Sequence, residues 1–171
     1  MKSRGERISC LTVYDYSFAH ILDQAGVEIL LVGDSLGMVI QGHETTLPVS
    51  MCNVLYHTQC VSRGCNSALV IADMPFGSYQ GSPQSAYENA ARLVGEGGAH
   101  MVKIEGGVVM AETVTFLVDR GIPVCGHIGL TPQSVNQLGG FRVQGREEST
   151  AEELRRDARN LEEAGASLLI L

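Results

Sequence analysis

Long apolar runs are missing from this chain of 171 residues. None approaches the roughly 20 residues that a membrane-spanning helix needs, and no secretory signal pattern stands at the start. Basic residues are scarce as well. Twelve Lys and Arg against 19 Asp and Glu give a formal net charge of -7, which speaks against nucleic acid or an anionic membrane as the main partner. The five cysteines (Cys10, Cys52, Cys60, Cys65, Cys125) are odd in number and hold no C-x-x-C pair. Neither a disulfide framework nor a structural zinc site is expected from them. Free thiols in a reducing compartment are the reading, and the expected location is the cytoplasm.

What remains is ordinary globular material. Hydrophobic residues make up 44% of the chain and charged ones 18%, enough for a real core, and the length suits one domain or part of one. An anionic substrate is still permitted, because a local metal ion can outweigh the global charge.

Short β-branched runs alternate with amphipathic stretches. Candidate strands are residues 8–13, 29–32, 68–72, 101–105, 123–127 and 167–171. Helical signals lie between them. Ser17 is placed to cap a turn that Gly26 stops, and Ser82-Pro83 opens a helix whose apolar face is Ala86, Ala90, Leu93 and Val94. Thr131-Pro132 starts a short helix ended by Gly139-Gly140. Ser149 with Glu152, or Thr150 with Glu153, reads as a capping box before the stripe Leu154, Ala158, Leu161. Met38, Met51, Met74 and Met101 read as core filler.

Such alternation fits a parallel sheet covered by helices. An open dinucleotide-binding sheet would want G-x-G-x-x-G after its first strand, where this chain has Tyr14-Asp15-Tyr16-Ser17. Polar residues at the ends of several strands suit a (β/α)8 barrel instead. About six strands are found where that barrel has eight, and the last residues, Leu168 to Leu171, are apolar. Residues 1–171 are therefore expected to form a single incomplete barrel domain.

Three strands run into acids: Ile29 to Val32 before Asp34, Leu69 to Ala72 before Asp73, and Met101 to Glu105 with Lys103 on the same strand face as Glu105. A carboxylate at the end of a buried strand is costly unless something positive meets it. Lys103 and Glu105 could be an internal ion pair, and Asp34 and Asp73 could be helix caps or turn residues. Taken together, three acids at three strand ends favour a hard, oxygen-liking cation such as Mg2+ over Zn2+. Ser35 could hold a carboxylate or simply cap. His127 could orient or protonate a substrate oxygen, or be structural. His43 and Glu44 read as loop residues that could reach the site or be plain exposed polarity.

With these residues in hand, the chain resembles the ketopantoate hydroxymethyltransferase family. The likeness is carried by Thr12 to Phe18, Leu31 to Met38, Gln41-Gly42-His43, Thr46 to Val49, Ala72 to Phe76, Val102 to Gly107 and Gly126 to Ser134. It implies an α/β fold, a (β/α)8 barrel of the phosphoenolpyruvate/pyruvate type, usually assembled as a homodecamer. It also implies Mg2+ as cofactor, 5,10-methylenetetrahydrofolate as one-carbon donor, and 3-methyl-2-oxobutanoate as the α-keto acid turned into 2-dehydropantoate through a Mg-stabilised enolate. Asp34 and Asp73 match the family's metal-binding aspartates, and Glu105 matches the glutamate that completes the metal environment, partly through water. Asp34, Ser35, Asp73 and Lys103 match its keto-acid site. The family's general base is a glutamate directly after the sixth strand, so its place falls just after Leu171 and no residue present matches it. An inactive metal- and substrate-binding fragment, or a Mg-dependent C–C lyase of the same barrel group, are the competing expectations.

Overall fold

The structure, a computed structural model, describes residues 2–171. Six strands form one sheet: β1 (Cys10–Thr12), β2 (Ile29–Val32), β3 (Leu69–Asp73), β4 (Met101–Glu105), β5 (Val124–His127) and β6 (Leu168–Ile170). Their spatial order is their sequence order, and every neighbouring pair is parallel. A doubly wound sheet would reverse its strand order at a switch point. This one never reverses, which is the progression of a (β/α)8 barrel through six strands. The crossovers that parallel pairing demands carry helices α1 (Tyr16–Gln24), α2 (Leu36–Val39), α3 (Met51–Gly64), α4 (Pro83–Gly95), α5 (Ala111–Val118), α6 (Val135–Leu138) and α7 (Glu148–Glu163).

The period-2 alternation of each strand sorts its side chains into two cores. Leu30, Val32, Val70, Ala72, Val102, Ile104 and Val124 face the helices, where Val54, Val61, Leu93, Leu117 and Leu161 meet them. Ile29, Ile71, Met101 and Cys125 form a second, smaller cluster on the opposite, concave face, with Leu31, Leu69, Leu168 and Ile170 against it. Two residues further along three of these inner rows stand Asp73, Lys103 and His127, and Glu105 follows two after Lys103. The inner face is thus apolar at its base and polar at the strands' C-terminal rim.

Strand ends shift by one or two residues from the sequence reading. Most notably, Asp73 is itself the last residue of β3, not the residue after it. Ser17 does not cap α1. Asp15, in extended backbone, accepts from the N–H of Phe18, and Ser17 lies inside the helix. Ser82 does cap α4, with Pro83 in the first turn. Neither capping box forms at α7. The helix begins at Glu148, its N-cap Glu147 standing two residues before Ser149 and three before Thr150, and the Thr150 hydroxyl donates back to the Glu147 carbonyl. Met74 and Met101 are buried, but Met51 is only half-buried and Met38 is 36% exposed, so the core-filler reading fails for Met38. Thr131-Pro132 opens a 3-10 turn, Pro132–Ser134, that passes into α6 and ends at Gly139 in the left-handed region. Helices α3 and α5 were not foreseen. The first is announced by a capping box between Ser50 and Asn53.

Candidate active site

Parallel strands in unbroken order bring their C-terminal ends to one rim, and five of the six deliver polar groups there or just beyond. Directly after β2 the chain turns tightly at Gly33. A Cβ at that position would lie 2.6 Å from the Ser35 hydroxyl and 3.6 Å from the Asp73 carboxylate. The turn aims the backbone N–H of Asp34 at Asp73 Oδ2, 3.0 Å away. Across the β3–β4 pairing, Asp73 stands opposite Lys103, whose Nζ lies 3.0 Å from Asp73 Oδ1 and 3.6 Å from Glu105 Oε1. Across β4–β5, Glu105 stands opposite His127. The His127 Nδ1 is 3.0 Å from Glu105 Oε1 and 3.3 Å from Lys103 Nζ.

Gln133, in the 3-10 turn after β5, closes the circuit. Its backbone N–H donates to Glu105 Oε2 at 2.9 Å, and its side-chain Nε2 donates to Asp34 Oδ2 at 2.8 Å. Asp34, Asp73, Lys103, Glu105 and Gln133 form a closed ring of polar contacts, all of them buried. Ser35 stands beside it, its hydroxyl 2.8 Å from that of Tyr14 at the end of β1.

The electrostatics are those of crowded acids around one ammonium. Burial, and then the charge of Asp73, push the Asp34 carboxyl up to about 7. Burial alone would lower the Lys103 ammonium, but Asp73, Glu105 and Asp34 together outweigh it and hold the group above its ordinary value. Burial works against Glu105 as well. The His127 hydrogen bond, the Lys103 charge and the Gln133 N–H nevertheless hold its carboxyl below the usual range.

The sequence-derived acids therefore converge, though not as three ligands around a common point. Among the described residues, no group of three His, Cys, Asp or Glu side chains could by itself enclose a metal ion. Both Glu105 oxygens are engaged, one by His127 and Lys103 and the other by Gln133. Asp73 Oδ1 differs: it is buried, and the polar group beside it is the Lys103 ammonium at 3.0 Å. A buried carboxylate oxygen that faces only an ammonium, beside the Asp34 carboxyl raised by crowding, is a donor set that fits a hard cation. Mg2+ in particular uses one or two carboxylates and takes its remaining oxygens from substrate and water.

His43 and Glu44 are exposed in the loop before α3. Gln133 and Tyr79 were not singled out by the sequence, being uncharged residues in connecting segments. A cavity of about 390 Å³ opens beside Glu105 and Gln133, walled by Phe76, Tyr79, Met110 and Asn136. A larger one of about 540 Å³, walled by Ile128, Val143, Leu154 and Leu169, lies along β6 and shares no lining residue with the ring. Among the described residues, no helix is long and apolar enough to cross a membrane.

Comparison with known proteins agrees with this geometry. A family model described as ketopantoate hydroxymethyltransferase matches residues 1–171. The 3-methyl-2-oxobutanoate hydroxymethyltransferase of Thiobacillus denitrificans is 61% identical over 171 residues, covering all of this chain and 65% of that protein. Its namesake from Aromatoleum aromaticum is 60% identical over the same span, 63% of its own length. The chain thus spans just under two thirds of these relatives. Among solved structures, a phosphonopyruvate hydrolase complexed with oxalate and Mg2+ superposes with a TM-score of 0.72 at 14% identity, over 98% of this chain and 58% of that one. A 2,3-dimethylmalate lyase of the PEP mutase/isocitrate lyase superfamily gives 0.68 at 18% identity, over 99% and 58%. At such identities these two establish the fold alone.

Proposed function

The chain belongs to the ketopantoate hydroxymethyltransferase family, and from that premise we propose that its polar rim serves transfer of a hydroxymethyl group to 3-methyl-2-oxobutanoate. The one-carbon donor in this reading is 5,10-methylenetetrahydrofolate, and with one water the products are 2-dehydropantoate and tetrahydrofolate. The observation that carries it is the closed ring: acids from three strand ends held about a single buried ammonium. A structural ion pair needs one acid for one base. This site has three.

In this reading Asp34 and Asp73 hold Mg2+, with Glu105 acting through water because both its oxygens are already committed. Bound there, Mg2+ would act as a Lewis acid toward the carboxylate and keto oxygen of the substrate. Lys103 provides a compact positive charge facing the substrate carboxylate. Ser35, its hydroxyl shared with Tyr14, offers a donor to the same group. His127, tied to Glu105, orients that carboxylate and faces the substrate from β5. The cavity beside Glu105 and Gln133 leaves room for the approaching one-carbon donor. Removal of the C3 proton leaves the enolate form of the keto acid, whose C3 takes up the methylene unit. In the family that this reading follows, the base for that step is a glutamate directly after the sixth strand, which none of the described residues matches. A homodecamer in the cytoplasm is the assembly and place that accompany this reading.

The decisive measurement is calorimetric binding of 3-methyl-2-oxobutanoate with and without Mg2+. Binding should require the ion and disappear in Asp34→Ala. Binding that ignores both Mg2+ and the substitution would remove this rim from the reaction.

A further inference from the structure

Gln133 is uncharged, yet it is joined to two of the three acids. Its amide has two donor hydrogens and an oxygen with two acceptor positions, and all four are used. Nε2 donates to Asp34 Oδ2 at 2.8 Å and to the Met74 carbonyl at 2.9 Å. Oε1 accepts from the Tyr79 hydroxyl at 2.7 Å and from Gln80 Nε2 at 3.1 Å. The opposite amide orientation would set a carbonyl oxygen against a carboxylate and a second carbonyl.

Tyr79 removes the remaining freedom. The backbone N–H of Glu105 donates to its hydroxyl oxygen at 3.0 Å, and of the two acceptors within reach of the hydroxyl hydrogen, Gln133 Oε1 at 2.7 Å is nearer than the Glu105 carbonyl at 3.2 Å. The order of events along this chain is therefore directional. The end of β4 orients Tyr79, Tyr79 orients the amide, and the amide presents an N–H to Asp34. The same residue's backbone N–H occupies Glu105 Oε2. One oxygen of each carboxylate is thereby taken, and the other oxygen of Asp34 accepts no hydrogen bond from the described residues. Any buried amide must satisfy its donors; here one of them goes to a carboxylate of the site and the backbone N–H of the same residue to another.

We infer that Gln133, anchored by Tyr79, is a positioning residue that turns Asp34 and Glu105 into the orientation in which the rim receives a divalent cation. This rests on the metal reading proposed above. It assigns the cation geometry to two residues that carry no charge and do not touch the ion.

The test uses Mn2+ as a paramagnetic stand-in for Mg2+, its free concentration read by electron paramagnetic resonance, with a thermal melt by circular dichroism on each protein. Gln133→Met keeps the length and removes all four side-chain bonds. Tyr79→Phe removes one oxygen and leaves the packing. Each is expected to weaken Mn2+ binding about 10-fold, and the double variant should bind no more weakly than Gln133→Met alone, because both act through one amide. If Gln133→Met does not fold, Tyr79→Phe decides. Folded variants that bind Mn2+ like the parent overturn the positioning role and leave the metal reading standing. Strictly additive losses overturn the Tyr79 anchor. A parent protein that does not bind Mn2+, or binds it equally well as Asp34→Asn, overturns the metal reading and this inference with it.

Discussion

Lys103 Nζ lies 3.0 Å from Asp73 Oδ1, both side chains buried. The pair is a charge balance before it is a bond, and the ammonium balances Asp34 and Glu105 too. Lys103→Met keeps the aliphatic stem and deletes that charge. At neutral pH the three acids are then uncompensated, and the loss expected for breaking a buried ion pair is about 3–5 kcal/mol. In the proposed reading Asp34 and Asp73 hold Mg2+, so the added ion should return part of the loss by supplying the missing positive charge. Urea unfolding of parent and variant, each with and without Mg2+, measures both effects. A variant as stable as the parent without the ion would show that the ammonium does not balance these acids.

Asp23 is a carboxylate of a different kind. From the end of α1 it accepts the backbone N–H groups of Asn66, Ser67 and Ala68, between 2.8 and 3.1 Å, and so ties α1 to the turn entering β3. Those donors, Ala68 and Ser67 first, lower its carboxyl to about 2. Because the folded value lies below the unfolded one, its contribution is complete above about pH 4. It is lost as the pH falls toward 2. Asp23→Ala should cost about 1 kcal/mol at pH 7, the low end for charged hydrogen bonds because the group is half-exposed. The difference between variant and parent should vanish near pH 2. A difference that persists there would mean packing, not the carboxylate, holds the turn.

Much of this arrangement could be read from the order of residues. The inward row Ile71-Asp73 and the row Met101-Lys103-Glu105 follow from strand alternation, so the placing of acids and lysine on one face was legible. The way they are joined was not. Gln133 reaches Asp34 from 99 residues away, and an amide in a turn gives no charge pattern or periodicity to mark it. Tyr79, likewise buried, looks like any loop aromatic until Glu105 is placed above it. Capping went astray at α1 because Asp15 and Ser17 are both good caps. The choice between them depends on which one the chain leaves in extended backbone, a tertiary matter. At α7 the chain is already helical at Thr150, and its hydroxyl donates back to the Glu147 carbonyl where a capping box would have it accept a backbone N–H.

Helices α1 and α3 meet at Gly64, and there the packing admits no side chain. A Cβ on Gly64 would stand 2.5 Å from the Tyr16 carbonyl oxygen and 3.1 Å from the Ala19 Cβ. The obstacle is backbone, so it cannot swing aside. Gly64→Ala should cost about 1–3 kcal/mol through overpacking, despite the better helix propensity of alanine. Chemical denaturation gives the value. A stabilised variant would mean that the two helices separate freely at this contact.

Asp34 makes the stability of the protein depend on pH in the direction opposite to Asp23. Burial first, and then Asp73, raise its carboxyl to about 7. Between the unfolded value near 4 and about 7, the folded protein binds the extra proton, so stability falls as the pH rises across that window. Each unit of the shift corresponds to about 1.4 kcal/mol. Asp34→Asn keeps the shape and carries no proton to lose, so its stability should decline less between pH 4.5 and 7.5, and it should overtake the parent at the alkaline end. Saturating Mg2+ should flatten the parent's profile, because an ion on the carboxylate favours the ionised form. Urea midpoints measured across that range, with Asp34→Asn as the reference and with Mg2+ added in a parallel series, separate this proton from that of Glu105. Parallel profiles for parent and variant would show that Asp34 ionises in the folded protein as easily as in the open chain, and the crowding of acids at this rim would lose its energetic meaning.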